Sequence, residues 1–118
     1  MVYTLPQMVE AAAKRFPQKD AFRCQQQAIT FGQLNQQMNQ LAHLLIDLGV
    51  KRGDRIGVYM SRSLETAVAI YGIMQAGAAF VPLDPLAPIE RIHFQLEDCG
   101  IDYLISQTAQ RRKLALLS

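Results

Sequence analysis

Three prolines spaced three residues apart, Pro82, Pro85 and Pro88, constrain this chain more than any other feature of its sequence. Each fixes its own φ, lacks a backbone N–H and pushes the preceding residue out of the α region. A helix therefore cannot cross residues 82–88. The apolar stretch Ala79–Val81 has to be a strand stopped by Pro82, followed by a stiff extended excursion. Upstream, Gly77 offers the Cβ-free residue that a tight helix-to-strand turn needs. Downstream, Pro88 suits the first position of a new helix, which runs to about Asp98 before Gly100. Ligands in open α/β sheets bind at the carboxyl ends of strands, where this shoulder lies. Taken alone, it reads first as a stiff connector.

The rest of the chain repeats that alternation. Pro6–Arg15 reads as a helix with Met8, Val9, Ala12 and Ala13 on one face, ended by Phe16-Pro17. Ala21–Cys24 and Ala28–Thr30 suit a small hairpin around Gln25-Gln26-Gln27. Thr30 and Gln33 have the spacing of a capping box. The helix they open carries Leu34, Met38, Leu41, Leu45 and Leu48 in one stripe, and Gly49 supplies the left-handed stop. Arg55–Met60 reads as a strand after the turn at residues 51–54. Ser61 and Ser63 offer N-caps for a helix through Gln75, buried by Leu64, Ala67, Val68, Tyr71 and Met74. Tyr103–Ile105 is a third strand. Strand, helix, strand, helix, strand predicts an α/β fold: parallel strands with flanking helices and right-handed crossovers.

A chain of 118 residues makes one domain or part of one. Half of the residues are hydrophobic and 19% are charged, which suits a globular core rather than disorder. The net charge of +2 is scattered, and Arg111-Arg112-Lys113, the one tight basic cluster, reads as a solvated end. No basic stripe with interleaved aromatics points to nucleic acid. The weakly polar stretch from Ala67 to Pro85 is too broken to span a membrane. Cys24 and Cys99 stand far apart, without metal-ligand spacing, which suits a reducing cytoplasm. A soluble, cytoplasmic protein is expected.

Chemistry is harder to place. His43 falls on the polar face of the long helix, opposite Leu34. His93 shares a face with Ile89, Ile92 and Leu96, which predicts a buried or half-buried packing histidine. Glu97 and Asp98, adjacent on a helix, read as a solvated end rather than an acid–base pair. Residues 53–57 lack the glycine order of a dinucleotide loop, and there is no Walker-type Gly-Lys-Ser/Thr. On these residues alone there is no metal, ATP or NAD site.

The run Ala76-Gly77-Ala78-Ala79-Phe80-Val81-Pro82-Leu83-Asp84-Pro85 nonetheless resembles the early signature of the adenylate-forming (AMP-binding) family. Its form is that of nonribosomal-peptide-type amino-acid adenylation domains. Pro88, Glu90-Arg91-Ile92 and Leu96-Glu97-Asp98-Cys99-Gly100 continue the match. Upstream, residues 29–34, Leu41-Ala42-His43-Leu44-Leu45 and Gly53-Asp54-Arg55-Ile56 resemble the family's first helix and strand.

The resemblance implies residues 1–118 as the N-terminal portion of an adenylation domain, one lobe of its larger N-terminal domain. It implies an enzyme that activates an amino acid with ATP and Mg to an aminoacyl-adenylate, then loads it on the phosphopantetheine thiol of a carrier protein. Proline is a guess at the substrate. The family's phosphate loop and its lid lysine have no counterpart here. The resemblance therefore implies no catalytic and no cofactor-binding residue in this chain, and an inactive isolated fragment. Gly77, Val81, Pro82, Asp84, Pro85 and Arg91 enter as a structural signature. With Met1 close to the first helix, no condensation domain is expected ahead of it, as in a free-standing or chain-initiating activator. The apolar run Leu114–Leu117 reads as mid-element, which favours truncation. The competing readings are a segment of an acyl- or aryl-CoA ligase and a non-catalytic interaction module.

Overall fold

The computed structural model describes residues 3–107. In chain order it contains α1 (Leu5–Arg15), β1 (Asp20–Cys24), β2 (Gln27–Thr30), α2 (Phe31–Asp47), β3 (Arg55–Tyr59), α3 (Leu64–Gln75), β4 (Ala79–Leu83), α4 (Ile89–Asp98) and β5 (Tyr103–Ser106). The first two strands form an antiparallel hairpin, and the last three form a parallel sheet in the order β4-β3-β5. The expected α/β architecture is present. The basic cluster 111–113 and the apolar run 114–117 lie outside the described residues.

Local chemistry explains the element boundaries. Thr30 caps α2 reciprocally with Gln33, and Thr4 caps α1 with Gln7 in the same way. Ser63, rather than Ser61, caps α3, its Oγ accepting from the Thr66 amide. Three helices then feed three strands by one turn. The amides of Val50, Ala78 and Ile101 donate back to the carbonyls of Leu45, Ile73 and Leu96. That 6→1 bond defines the Schellman end, and it places Gly77 at φ +84°, a conformation costly for any residue with a Cβ. Arg55 reaches across from β3 to donate to the Cys99 carbonyl at 2.8 Å, where the end of α4 is electronegative.

Alternation along β3 sorts the core into two layers. Ile56 and Val58 turn to one face, where they pack with Leu45 of α2 and with Ala69 and Ile73 of α3. Tyr59 turns to the other, against Leu83 and Ile92 of α4. A third cluster, off the sheet, joins Val9, Ile29, Leu34 and Met38, flanked by Leu64, Val68 and Tyr71.

Several expectations are corrected. β4 does not stop at Pro82 but runs through it to Leu83, with Pro82 in register with Val58. The proline is tolerated because β4 is an edge strand, where a missing N–H need not break a ladder. Leu48 is 61% exposed, because it caps α2 where the chain turns away. Ala42 and then Val50 are buried instead. Met8 is also exposed, since α1 buries only the narrow face of Pro6 and Val9. On α3 the fully buried residues are Ala69, Gly72 and Ile73. The expected Leu64, Ala67, Val68, Tyr71 and Met74 are all only partly buried, and Leu64, Val68 and Tyr71 face the hairpin cluster. α3 lies between sheet and hairpin, so it has two apolar faces where a surface helix has one.

Candidate functional site: the carboxyl rim of the parallel sheet

The carboxyl ends of β3, β4 and β5 open onto one rim, the place where open α/β sheets hold ligands. After β3 the chain continues through Met60 and Ser61 to the start of α3. After β4 it passes Asp84 and Pro85, and after β5 it reaches Gln107.

A hydrogen-bonded net ties the β3 and β5 ends together. The Ser106 hydroxyl donates to the Tyr59 carbonyl at 2.8 Å. The Gln107 side chain accepts from the Ser61 amide at 3.0 Å. Its Nε2 donates to Ser63 Oγ and to Glu65 Oε2, both at 3.3 Å. Thr66 Oγ1 donates to the Ser61 carbonyl at 2.7 Å. Sequence reasoning missed this cluster, because neither Ser106 nor Gln107 stands in a motif. Only strand order brings residue 107 beside residues 61–65.

The signature residues are spread along one path and do not converge. Gly77 makes the turn into β4, its carbonyl accepting from the Gly53 amide at 2.9 Å. Val81 packs on the Tyr59–Leu83–Ile92 cluster, and Pro82 is exposed on the sheet edge. Asp84 Oδ1 accepts from the Leu86 amide at 2.9 Å, and its carbonyl accepts from the Ala87 amide. This is an Asx-type turn that bends the shoulder toward α4. Pro85 is half-buried within that turn, and Arg91 is exposed on the first turn of α4.

The histidines stay apart as well. His43 is exposed on α2. His93 is exposed too, against the expectation of burial, and its Nε2 lies 3.1 Å from Glu97 Oε1. Ile89, Ile92 and Leu96 form the inner row of α4, and one residue beyond Ile92 the helix has turned about 100° toward water. Cys24 lines a cavity of about 300 Å³ between β1 and α3, with Phe22, Arg62, Leu64 and Tyr71. Both cysteines are free.

The rim's donor set can be compared with what a nucleotide would need. Its hydroxyls and amide are engaged with one another, and its carboxylates, Asp84 and Glu65, each accept a hydrogen bond from within the chain. Among the described residues no group of His, Cys, Asp and Glu could hold a metal ion. What these rim groups do among the described residues is hold strand ends and loops in register. Among them, too, no helix is long and apolar enough to cross a membrane.

Comparison with known proteins gives this scaffold its family. A family model described as AMP-binding enzyme matches residues 9–117. Surfactin synthase subunit 1 of Bacillus subtilis (strain 168) is 41% identical over 104 residues, 88% of this chain and 3% of that protein. Gramicidin S synthase 2 of Brevibacillus brevis is 39% identical over 111 residues, 94% of this chain and 2% of that one. Among solved structures, the nonribosomal peptide synthetase FmoA3 in its alpha-methyl-L-serine-AMP-bound form superposes with a TM-score of 0.89 at 30% identity. That match covers 94% of this chain and 13% of FmoA3. The N-terminal subdomain of Klebsiella oxytoca NpsA superposes with a TM-score of 0.82 at 29% identity, over 91% of this chain and 28% of that one. The chain thus spans a small part of each relative, and the match runs through nearly all of its own length. It belongs to the AMP-binding enzyme family, as the N-terminal part of a nonribosomal-peptide-type adenylation domain.

Proposed function

We propose that this chain is the scaffold-forming first portion of an enzyme that activates an amino acid with ATP to an aminoacyl-adenylate and loads it on the phosphopantetheine thiol of a carrier protein. The observation that carries the reading is the unbroken likeness of residues 9–117 to an AMP-binding enzyme, with peptide synthetases as the relatives. FmoA3 is seen with alpha-methyl-L-serine-AMP, an amino-acid adenylate, which supports an amino acid over a fatty acid as substrate. A small cyclic amino acid such as proline is the first to try. An acyl- or aryl-CoA ligase is the less supported reading, since these relatives are peptide synthetases.

In this reading the parts that hold ATP, Mg and the amino acid lie in polypeptide beyond these residues, and the enzyme works in the cytoplasm. Gly77, Val81, Pro82, Asp84, Pro85 and Arg91 shape the scaffold, and none of them does chemistry. Catalysis of this type rests on groups placed against developing charge, and the rim offers groups already engaged with each other. ATP–pyrophosphate exchange tests the reading: the enzyme containing this segment exchanges in the presence of one amino acid, and the 118-residue chain alone does not. Exchange by the chain alone, or exchange driven only by fatty acids, would refute it.

A further inference from the structure

The cavity that Cys24 lines lies where the hairpin meets α3, and its walls come from both. Phe22 and Cys24, two residues apart on β1, face it from the strand. Leu64, Ala67 and Tyr71, three and then four residues apart, give α3 an apolar wall opposite them. The Phe22 and Tyr71 rings meet with centroids 5.9 Å apart and planes tilted by 50°. Phe22 is 38% exposed, because a two-stranded hairpin covers little of a phenyl ring. Its open face is apolar surface that a flat ring can cover.

The charges in the lining have one sign. Arg23 and Arg62 contribute to it, and no acidic residue does. Arg23 is already held by Asp20 at 2.8 Å. The Ser63 hydroxyl accepts from the Thr66 amide, and the Thr66 hydroxyl donates to the Ser61 carbonyl. The Arg62 guanidinium has no carboxylate within ion-pair distance among the described residues. The Cys24 thiol lies 4.0 Å from the Arg62 carbonyl. A planar fork of N–H donors beside ring faces matches a planar anion carried on an aromatic ring. The volume of about 300 Å³ sits at the lower end of small-molecule sites, which span ~300–1,000 Å³. That is room for a two-ring plate with one charged group.

We propose that this cavity is a binding site for a small planar aromatic carboxylate, its ring held between Phe22 and the Leu64–Ala67–Tyr71 wall and its carboxylate paired with the Arg62 guanidinium. Charge complementarity selects the anion, and the ring faces select a flat apolar body over an aliphatic chain. The site is separate from the proposed amino-acid activation, since none of its lining residues belongs to the signature from Gly77 to Arg91. Cys24 takes no part in holding the ligand. Its thiol, inside the cavity, reports whether the cavity is filled.

Alkylation of Cys24 by iodoacetamide tests this, followed by peptide mass spectrometry in the enzyme that contains this chain, with Cys99 as the internal reference. The probe is 2-naphthoate, and 2-naphthamide is its uncharged counterpart. Titrated to ten times its half-maximal concentration, 2-naphthoate should slow alkylation of Cys24 about tenfold and leave Cys99 unchanged, because about one site in ten is then free. Arg62→Gln, a change on an exposed side chain, should raise the half-maximal concentration about tenfold or more, the worth of a hydrogen bond to a charged group. Protection by 2-naphthamide at the same concentrations, or undiminished protection in Arg62→Gln, would overturn the assignment of a carboxylate. No protection at any concentration, or equal slowing at Cys99, would overturn the site itself. So would a Cys24 that iodoacetamide reaches only after denaturation, since the enzyme's own polypeptide would then fill the cavity.

Discussion

Among the described residues, Ile56 and Val58 lie beneath two helices, α2 and α3, on one face of the parallel sheet, whereas Tyr59 and Leu83 lie beneath α4 alone on the other. The first layer gathers eight buried residues among those described and the second three, so a side chain removed from the first loses more packing partners. The thinner layer also has Phe94 and Leu86 nearby at 66% and 90% exposure. On the α2/α3 side Ile56 and Ile73 are fully buried, although α2 itself also exposes Leu44, Ile46 and Leu48. On the α4 side the chain offers apolar surface that an adjoining part of a larger domain could cover.

Truncating matched isoleucines tests that difference most strongly. Ile73 and Ile92 are both fully buried, one in each layer. Ile73→Ala should cost about 3–4 kcal/mol, near the upper part of the range for buried aliphatic truncations, and Ile92→Ala about 2–3 kcal/mol. Urea denaturation of the two variants checks this, and equal losses would mean that the layers are equally dense.

Glycine substitutions sharpen the comparison at smaller scale. A Cβ on Gly72 would meet Leu41 Cβ and Cγ at 2.9 Å, atoms near the α2 backbone that cannot swing aside. A Cβ on Gly57 would meet the methyl ends of Leu104 and Leu83, at 2.8 and 3.0 Å, which can rotate away. Gly72→Ala should therefore cost about 2 kcal/mol even after its gain in helix propensity, and Gly57→Ala about 1 kcal/mol or less. A thermal melt that ranks them the other way would contradict the assignment of α2/α3 as the rigid layer.

The smallest effect belongs to Tyr59, fully buried on the α4 side with a hydroxyl that has no hydrogen-bond partner among the described residues. Tyr59→Phe removes that oxygen and keeps the ring. It should leave stability within about 0.5 kcal/mol of the parent or raise it, because no bond is lost. A loss of more than about 1 kcal/mol in this chain would show that the hydroxyl is satisfied after all.

How much of this was legible in the sequence divides along the line between local and non-local information. The capping box at Thr30, the turn at Gly77 and the helix after Pro88 are set by neighbours within a few residues, and they stand where the pattern put them. Pro82 did not read correctly, because whether a proline ends a strand depends on strand order, and only pairing shows that β4 is an edge. The inner face of α3 was misassigned for a similar reason: apolar residues on two sides look like one broad face until the hairpin is seen across from the sheet. His93 was displaced by a single step around α4. The Ser106–Gln107 net had no signal at all, since it joins residues more than forty positions apart.

The proposed function has this chain supply the frame of an amino-acid-activating enzyme and none of its chemistry. Amino-acid-dependent ATP–pyrophosphate exchange, run on the 118-residue chain beside the enzyme that contains it, tests that claim most directly. Exchange by the longer enzyme with one amino acid, and none above background by the chain alone, is the predicted result. Turnover by the isolated chain would contradict the account, because the proposal places the reacting groups in polypeptide beyond these residues.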